Sequence, residues 1–579
     1  MFWFRMTMFK KRSLYSILFI CLIFLISRQH RSYAVVESVV KSNAYDAFYS
    51  EVYELLISSK PMDPPSDKNS FRLTSCDLPK DVGINDLDRF EKLSFDNLQR
   101  CYHLSNEQAQ DLQKAHSSYV KSIKDLIDNH SNIISKDDEK KKGILTVGGG
   151  RYSVLLFTMI QKLRETGTTL PVEVLIPPQD EGDDEFCNVI LPQFNAKCIY
   201  FKDYLPPNLL DKLVLKSYQI KALGLLMTSF NQILFLDADN YPMKNLNYIF
   251  ETESFQKYGL ITWPDIWRRY TPPAYYNIAD IDFNLEKRVR FETDDISPVS
   301  RYDDIFPTLL NDERKLTEYT SSKVPFHDLE GTISDLTTES GQMLIDKKKH
   351  LDTLLLAFYY NFYGPSWYYN MFSLGSSGEG DKETFISAAH ALGKPYYQVK
   401  SKVEFDGFFH DKDGFQGLGL MQHDFEQDYQ VHKNAMLEVA GNPDKYSKYE
   451  SDYKLETSFT DQFLRKYNNK KDLVDIMFVH ASFFKFEPLE LHSKNRYYMS
   501  DNSPLRGFKR MDRMNNFDLE LFNFQILRDN LCSTKPVAFK VYEDKYDTDE
   551  WKSVCEYLDK RVTFLKKTHE EAINAAKSS

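Results

Sequence analysis

The feature that narrows the fold most is an alternation running from residue 143 to residue 236. Short apolar runs at 143–147 (GILTV), 172–176 (VEVLI), 196–201 (AKCIYF) and 232–236 (QILFL) read as buried strands. Stretches with helical periodicity separate them at 153–164 and 217–230, and 186–191 is a shorter helical candidate. Strands alternating with helices at this spacing predict a parallel α/β sheet. Such sheets bind ligands at the carboxyl ends of their strands, so chemistry is sought there.

Immediately past the fourth run stands Asp237-Ala238-Asp239. Two carboxylates two residues apart at a strand end can share one hard divalent cation, Mg2+ or Mn2+, with the oxygens of a diphosphate. The cation would neutralise charge on a departing phosphate. Asp239-Asn240-Tyr241-Pro242 also suits a polar turn, but its place behind an apolar strand favours the metal. An aspartyl-nucleophile phosphatase would carry such a pair on its first strand, followed by Thr or Val. Here the strand is the fourth and Asn240 follows.

Other segments carry chemistry with plainer readings beside it. Gly148, Gly149, Gly150 and Arg151 follow the first strand and could hold phosphate or a nucleoside at a helix start, or simply make a tight turn. Lys216 and Lys221, on the helix before the D-x-D strand, could reach a diphosphate or remain solvated. Residues 263–270 (WPDIWRRY) offer rings and two guanidiniums to a sugar or nucleotide, although a buried aromatic core is the commoner use. The Gly378–Gly380 turn leads into Asp381, Lys382, Glu383 and a helix at 385–392. Asp381 there is either an N-cap or, with Glu383, a carboxylate aimed at a sugar. Late in the chain an apolar strand at 476–480 ends in His480, followed by Lys485 and Pro488. A neutral imidazole could complete a site begun by Asp237 and Asp239, and Lys485 could pair with the diphosphate. His423 is a competing ligand.

The 579-residue chain has net charge −11, which argues against nucleic acid as its partner. Mean hydropathy of −0.48 excludes a polytopic membrane protein, but one anchor is expected at 13–27. It is flanked by Lys10, Lys11 and Arg12 before and Arg28 and Arg31 after. The basic excess in front places a tail of residues 1–12 in the cytosol, and Ser27–Arg31 is a poor cleavage site for a signal peptide. Of the seven cysteines, Cys21 lies in that anchor. The other six fall into local couples, Cys76 with Cys101, Cys187 with Cys198 and Cys532 with Cys555. Disulfides would persist in an oxidising lumen, although six cysteines alone allow about 15 connectivities. Asn129-His130-Ser131 is a glycosylation sequon.

Residues 28–104 read as a stem with breakers around Pro61, Pro64 and Pro65. A capping box at Ser105 and Gln108 opens an amphipathic helix, and 105–508 form the main domain. An insertion is expected near 284–330, and 509–579 form an extension packed on that domain. The charge run 137–142 reads as a solvated linker.

Taken together, GILTVGGGRYS (143–153), LPVEVLIP (170–177), QILFLDADNYP (232–242), ESGQMLIDKKKH (339–350), SGEGDKETF (377–385) and VHASFFKFEP (479–488) resemble the fungal Golgi α-1,2-mannosyltransferases. Those enzymes build side branches of cell-wall mannan on N-glycan outer chains. The resemblance implies a GT-A-like mixed sheet flanked by helices and a type II Golgi membrane protein. It implies GDP-mannose as donor, Mn2+ as metal, and transfer to mannose of the outer chain with retention of α configuration. Asp237, Asp239 and, less directly, His480 would be metal ligands. Lys485 would join His480 at the donor. Gly148, Gly149, Arg151, Lys216 and Lys221 are donor-binding candidates by their own positions. The resemblance favours Asp381 and Glu383 as catalytic carboxylates without fixing which faces the reacting carbon. The related α-1,3 branch is the nearest confusion. A non-catalytic lumenal scaffold within a complex of mannosyltransferases is the reading from a different class.

Overall fold

The computed structural model describes residues 44–65, 71–74, 76–86, 92–131, 133, 141–449 and 461–578. The expected tail, anchor and first part of the stem lie outside the described residues, as does most of the charged run 137–142. No described helix is long and apolar enough to cross a membrane.

The strands are, in chain order, β1 (Lys142–Val147), β2 (Val172–Ile176), β3 (Ala196–Tyr200), β4 (Gln232–Leu236), β5 (Asn240–Pro242), β6 (Leu260–Pro264) and β7 (Asn284–Arg288). They continue with β8 (Leu329–Glu330), β9 (Thr338–Asp346), β10 (Tyr397–Gln398), β11 (Glu404–His410), β12 (Gly414–His423) and β13 (Ile476–His480). Seven of them build the main sheet in the order β10-β6-β9-β4-β1-β2-β3. β1 to β4 pair in parallel as the apolar alternation predicts. β9 inserts antiparallel between β4 and β6 and makes the sheet mixed, as the resemblance implies; the strand–helix alternation specifies only its parallel part.

Both faces of this sheet are covered, which is why its strands read as unbroken apolar runs. Leu145, Leu175, Ile233, Phe235 and Ile345 point into one core cluster. Their neighbours Ile144, Val174, Leu234, Leu236 and Leu344 point into the other, as the two-residue period of a strand requires. On the first side the Gln219–Met227 and Leu351–Phe362 helices lie packed and buried nearly all round. Each fully buried Leu in these layers contributes about 1.5–3 kcal/mol.

A second, antiparallel sheet has the order β11-β12-β13-β5. It matters for chemistry because β13 pairs with β5, His480 opposite Asn240. That pairing sets the late histidine beside the D-x-D segment.

Part of the stem assignment is corrected. Residues 44–58 form a helix whose Phe48, Tyr49, Val52 and Leu56 join the first core cluster. The hydroxyls of Tyr363 and Tyr359 donate to the carbonyls of Leu56 and Ser59 at 2.6 and 3.1 Å. From residue 44 this segment is therefore packed into the body, because its apolar residues recur at helical spacing. The expected capping box at Ser105 and Gln108 opens the Asn106–Asn129 helix with both hydrogen bonds in place. The insertion folds as a two-stranded β7–β8 ribbon with the Glu313–Lys323 helix. Arg288–Asp328 and Arg268–Glu292, at 2.6 and 3.0 Å, tie it down. The C-terminal helices Leu519–Leu531 and Asp549–Lys567 pack into the second cluster. All three local cysteine couples are disulfides: Cys76–Cys101, Cys187–Cys198 and Cys532–Cys555.

Candidate active site

The carboxyl ends of β1 and β4, the start of β9, the Gly378–Lys382 turn and the loop after β13 surround one cleft of about 740 Å3. Asp237 and Asp239 enter it directly behind β4. The carbonyl of Gly341 accepts from the Asp237 amide at 2.8 Å and from the Asn240 side chain at 2.8 Å. Strand β9 thus clamps the D-x-D turn from both ends, which is the polar-turn reading, and leaves both carboxylates facing the cleft.

One ligand atom from each of Asp237, Asp239 and His480 can be chosen so that all lie within 4.8 Å of one another. Nε2 of His480 is 3.2 Å from Oδ1 of Asp239, and its Nδ1 is 3.2 Å from Oε1 of Glu339. Two carboxylates and an imidazole make a donor set suited to Mn2+ or a similar divalent ion. Nε2, which faces Asp239, is the ring nitrogen placed to join the two carboxylates, while Nδ1 is turned to Glu339. Among the described residues His423 is not part of that cluster: it is buried on β12 and pairs with Glu404 at 3.0 Å. Gly341 is required by close approach, since a Cβ there would lie 2.5 Å from His480 Nδ1.

Lysines balance the acids. Lys485 pairs with Asp239. Lys221 lies 3.4 Å from Asp237 and 3.1 Å from Asp381, and donates to the Ser340 carbonyl at 2.8 Å. Lys382 pairs with Asp265 at 2.5 Å in the same cleft. Burial would raise the pKa of Asp239, but His480 and Lys485 outweigh it and hold the group well below the carboxylate range. Burial raises Asp237 despite Lys221 and His480. Burial opposes ionisation of Glu339 too, yet His480 and the Gly341 amide bring it down to about 2. His480 is disfavoured as a cation by burial, but Glu339 and Asp239 lift it well above an ordinary imidazole. A metal ion held at this ring would therefore have to displace a proton.

The other expected residues divide. Gly148 and Arg151 line the cleft. Gly149 makes the turn, with φ of 97° and Asp180 packed where a side chain would go. Lys216 is exposed and does not line the cleft, because the helix expected from 217 starts at Gln219 after Ser217 adopts a φ of 46°. Asp381 faces the cleft. Glu383 does not line it: its side chain pairs with buried Arg269 and accepts from the Thr338 amide at 2.6 Å. Trp263, Arg268, Arg269 and Tyr270 are all buried, which is the aromatic-core reading of that segment. Asn129 is exposed on its helix.

Glu339 and Asp265 were not among the sequence candidates. Asp265 follows apolar β6 as Asp237 follows β4, so the same strand-end signal could have found it. Glu339 sits in the first turns of a strand later buried throughout, and an acid in such a strand is a usable flag.

Comparison with known proteins gives this arrangement a context. The mannosyltransferase family model Mannosyl_trans3 matches residues 141–436, a span that includes the D-x-D segment, Glu339 and Asp381. The α-1,2-mannosyltransferase MNN5 of Saccharomyces cerevisiae is 46% identical over 545 residues, 92% of each chain. MNN2 of the same yeast is 43% identical, over 91% of this chain and 86% of its own. MNN21 of Candida albicans is 36% identical, over 83% of this chain and 70% of its own. The chain belongs to the mannosyltransferase family that includes these fungal α-1,2-mannosyltransferases.

Proposed function

We propose that this protein transfers mannose from GDP-mannose to the 2-hydroxyl of an α-mannoside, on mannan or the outer chain of an N-glycan, with retention of configuration. The observation that carries the reading is the convergence of Asp237, Asp239 and His480 with Lys221, Lys485 and Asp381 on one cleft. The α-1,2 linkage is supported by the names of the yeast relatives. A GT-A-like fold is supported by the D-x-D behind β4 of a mixed sheet.

Asp237, Asp239 and His480 would hold the divalent ion, Mn2+ by the resemblance. When bound it supplies positive charge against the diphosphate. Lys485, beside Asp239, and Arg151, at the helix start, add cations where a nucleoside diphosphate would lie. Asp381 presents its carboxylate to the sugar side, where it would stabilise an oxocarbenium-like carbon as the bond to phosphate breaks. For same-face attack the acceptor oxygen bonds to the anomeric carbon, and its proton leaves on the departing phosphate oxygen. Lys221 bridges Asp381 to Asp237 and so couples sugar and diphosphate positions.

The three disulfides and the exposed sequon at Asn129 fit a lumenal enzyme, and the basic-flanked apolar run at 13–27 fits a single type II anchor in the Golgi membrane. The test of the reading is incubation of the full chain with labelled GDP-mannose, Mn2+ and methyl α-mannoside. α-1,2-linked dimannoside is expected, and no transfer with or without metal would refute it.

A further inference from the structure

Three exposed phenylalanines form one strip that leads to the cleft. Phe409 and Phe415 face each other in register across the β11–β12 hairpin, ring centroids 5.4 Å apart. They are 76% and 50% exposed, and Phe483, in the loop after β13, is 48% exposed. A methyl group built on Gly417 would touch Phe483 at 3.6 Å and Phe415 at 3.9 Å. The two rings therefore flank the same bare stretch of β12. Ser482 and Lys485, on either side of Phe483 in sequence, line the cleft, so the strip begins at its mouth.

A cross-strand aromatic pair stabilises a hairpin by about 0.2–1 kcal/mol, which accounts for Phe409 facing Phe415. It does not account for Phe483, which arrives from another loop, or for three rings left side by side in water. Adjacent exposed apolar groups at the edge of a polar cleft mark a ligand surface. Asp411, Lys412 and Asp413 are exposed at the hairpin tip beside them. A pyranose has a C–H face that lies flat on an aromatic ring and a hydroxyl rim that such polar groups can bond. The two aspartates disfavour an anionic membrane surface as the occupant.

We propose that Phe483, Phe415 and Phe409 form a binding strip for an α-linked oligomannoside acceptor, Phe483 taking the sugar nearest the transfer site and Phe409 the most distant. This rests on the mannosyl-transfer reading of the cleft, and it makes the enzyme prefer longer acceptors. The test compares methyl α-mannoside with α-mannotetraose as acceptors of the full chain in detergent. In the wild type KM should be lower for the tetraose. Phe415→Ala and Phe409→Ala should each raise that KM about tenfold, leaving kcat, the KM for methyl α-mannoside and GDP-mannose affinity unchanged. Calorimetric titration with α-mannotetraose reads the strip without turnover, so failure of transfer itself falls on the cleft and not on this proposal. An unchanged tetraose affinity in both variants would overturn it. So would loss of binding to phosphatidylcholine–phosphatidylserine vesicles with acceptor affinity intact.

Discussion

Oδ1 of Asp239 lies 3.2 Å from Nε2 of His480, although 241 residues of chain separate them. The contact exists because β5 starts one residue after Asp239 and pairs with β13, which ends on His480. Glu339 holds the other face of the ring. A residue that orients a metal-binding imidazole typically contributes 10–100-fold in metal affinity. Glu339→Gln should therefore raise the Mn2+ concentration needed for half-maximal transfer by about that factor, with maximal rate recovered at saturating metal. Gly341→Ala, whose methyl group would displace the ring, should lose activity that added metal does not restore. Metal titration of transfer checks both, and an unshifted Mn2+ dependence in Glu339→Gln would remove Glu339 from the site.

Asp381 and Glu383, two residues apart, should behave oppositely. Asp381→Asn removes the charge proposed to face the sugar and should lower kcat about a hundredfold, about 3 kcal/mol of barrier, with the fold and GDP binding retained. Glu383→Gln leaves the Arg269 guanidinium buried without its anion, a loss of about 3–5 kcal/mol in stability. Urea unfolding and single-turnover kinetics on the two variants separate the roles. A silent Asp381→Asn would assign that residue to structure.

How much was legible follows from what sets each element. β2, β4, β13 and the Asp549–Lys567 helix are readable because burial on both faces, or an apolar stripe, writes itself into local composition. The reversed direction of β9 is not readable, since its partners β4 and β6 are chosen by pairing across distant sequence. The stem reading failed at residue 44 for a related reason. Proline-rich breakers suggest a stalk, while the apolar face of the 44–58 helix finds its partner some 300 residues later, around Tyr359 and Tyr363. D-x-D was legible as a motif. His480 was named from its place at a strand end, and the β13–β5 register is what sets it, and not His423, beside the D-x-D segment. The separation of Asp381 from Glu383 needed Arg269.

Part of the acid sensitivity should trace to His116, along with His327, which burial also holds well below the ordinary imidazole range. The His116 ring is buried, its Nε2 lies 2.7 Å from the Tyr360 hydroxyl, and burial lowers its pKa to about 4. The unfolded chain binds a proton there below about 6.5 while the folded chain does not, so stability falls as pH drops from 6.5 towards 4. The loss approaches about 3 kcal/mol at the lower end. Asp183, Asp328 and Asp406, raised by burial to about 6, act in the opposite sense, gaining stability on acidification. The comparison is therefore between His116→Asn and wild type. The gap in Tm between them should narrow or reverse from pH 7 to pH 4.5, and a constant gap would exclude His116 as a source.

The Cys532–Cys555 bridge closes a 23-residue separation between the C-terminal helices. A loop of that size corresponds to about 3 kcal/mol of unfolded-state entropy. The Cys532→Ala/Cys555→Ala double variant should lose about that much stability while keeping its kcat at low temperature, because neither residue approaches the cleft. Denaturant midpoints and transfer rates at 15–20 °C (about) check it, and an unchanged midpoint would remove the bridge from the stability of the extension.

The central claim is tested most directly by the linkage of the product. The full chain, given GDP-mannose, Mn2+ and methyl α-mannoside, should form an α-1,2-linked dimannoside, and Asp239→Ala, which leaves a metal ion one carboxylate short, should form none. A β-linked or α-1,3-linked product, or undiminished transfer by Asp239→Ala, would contradict the account.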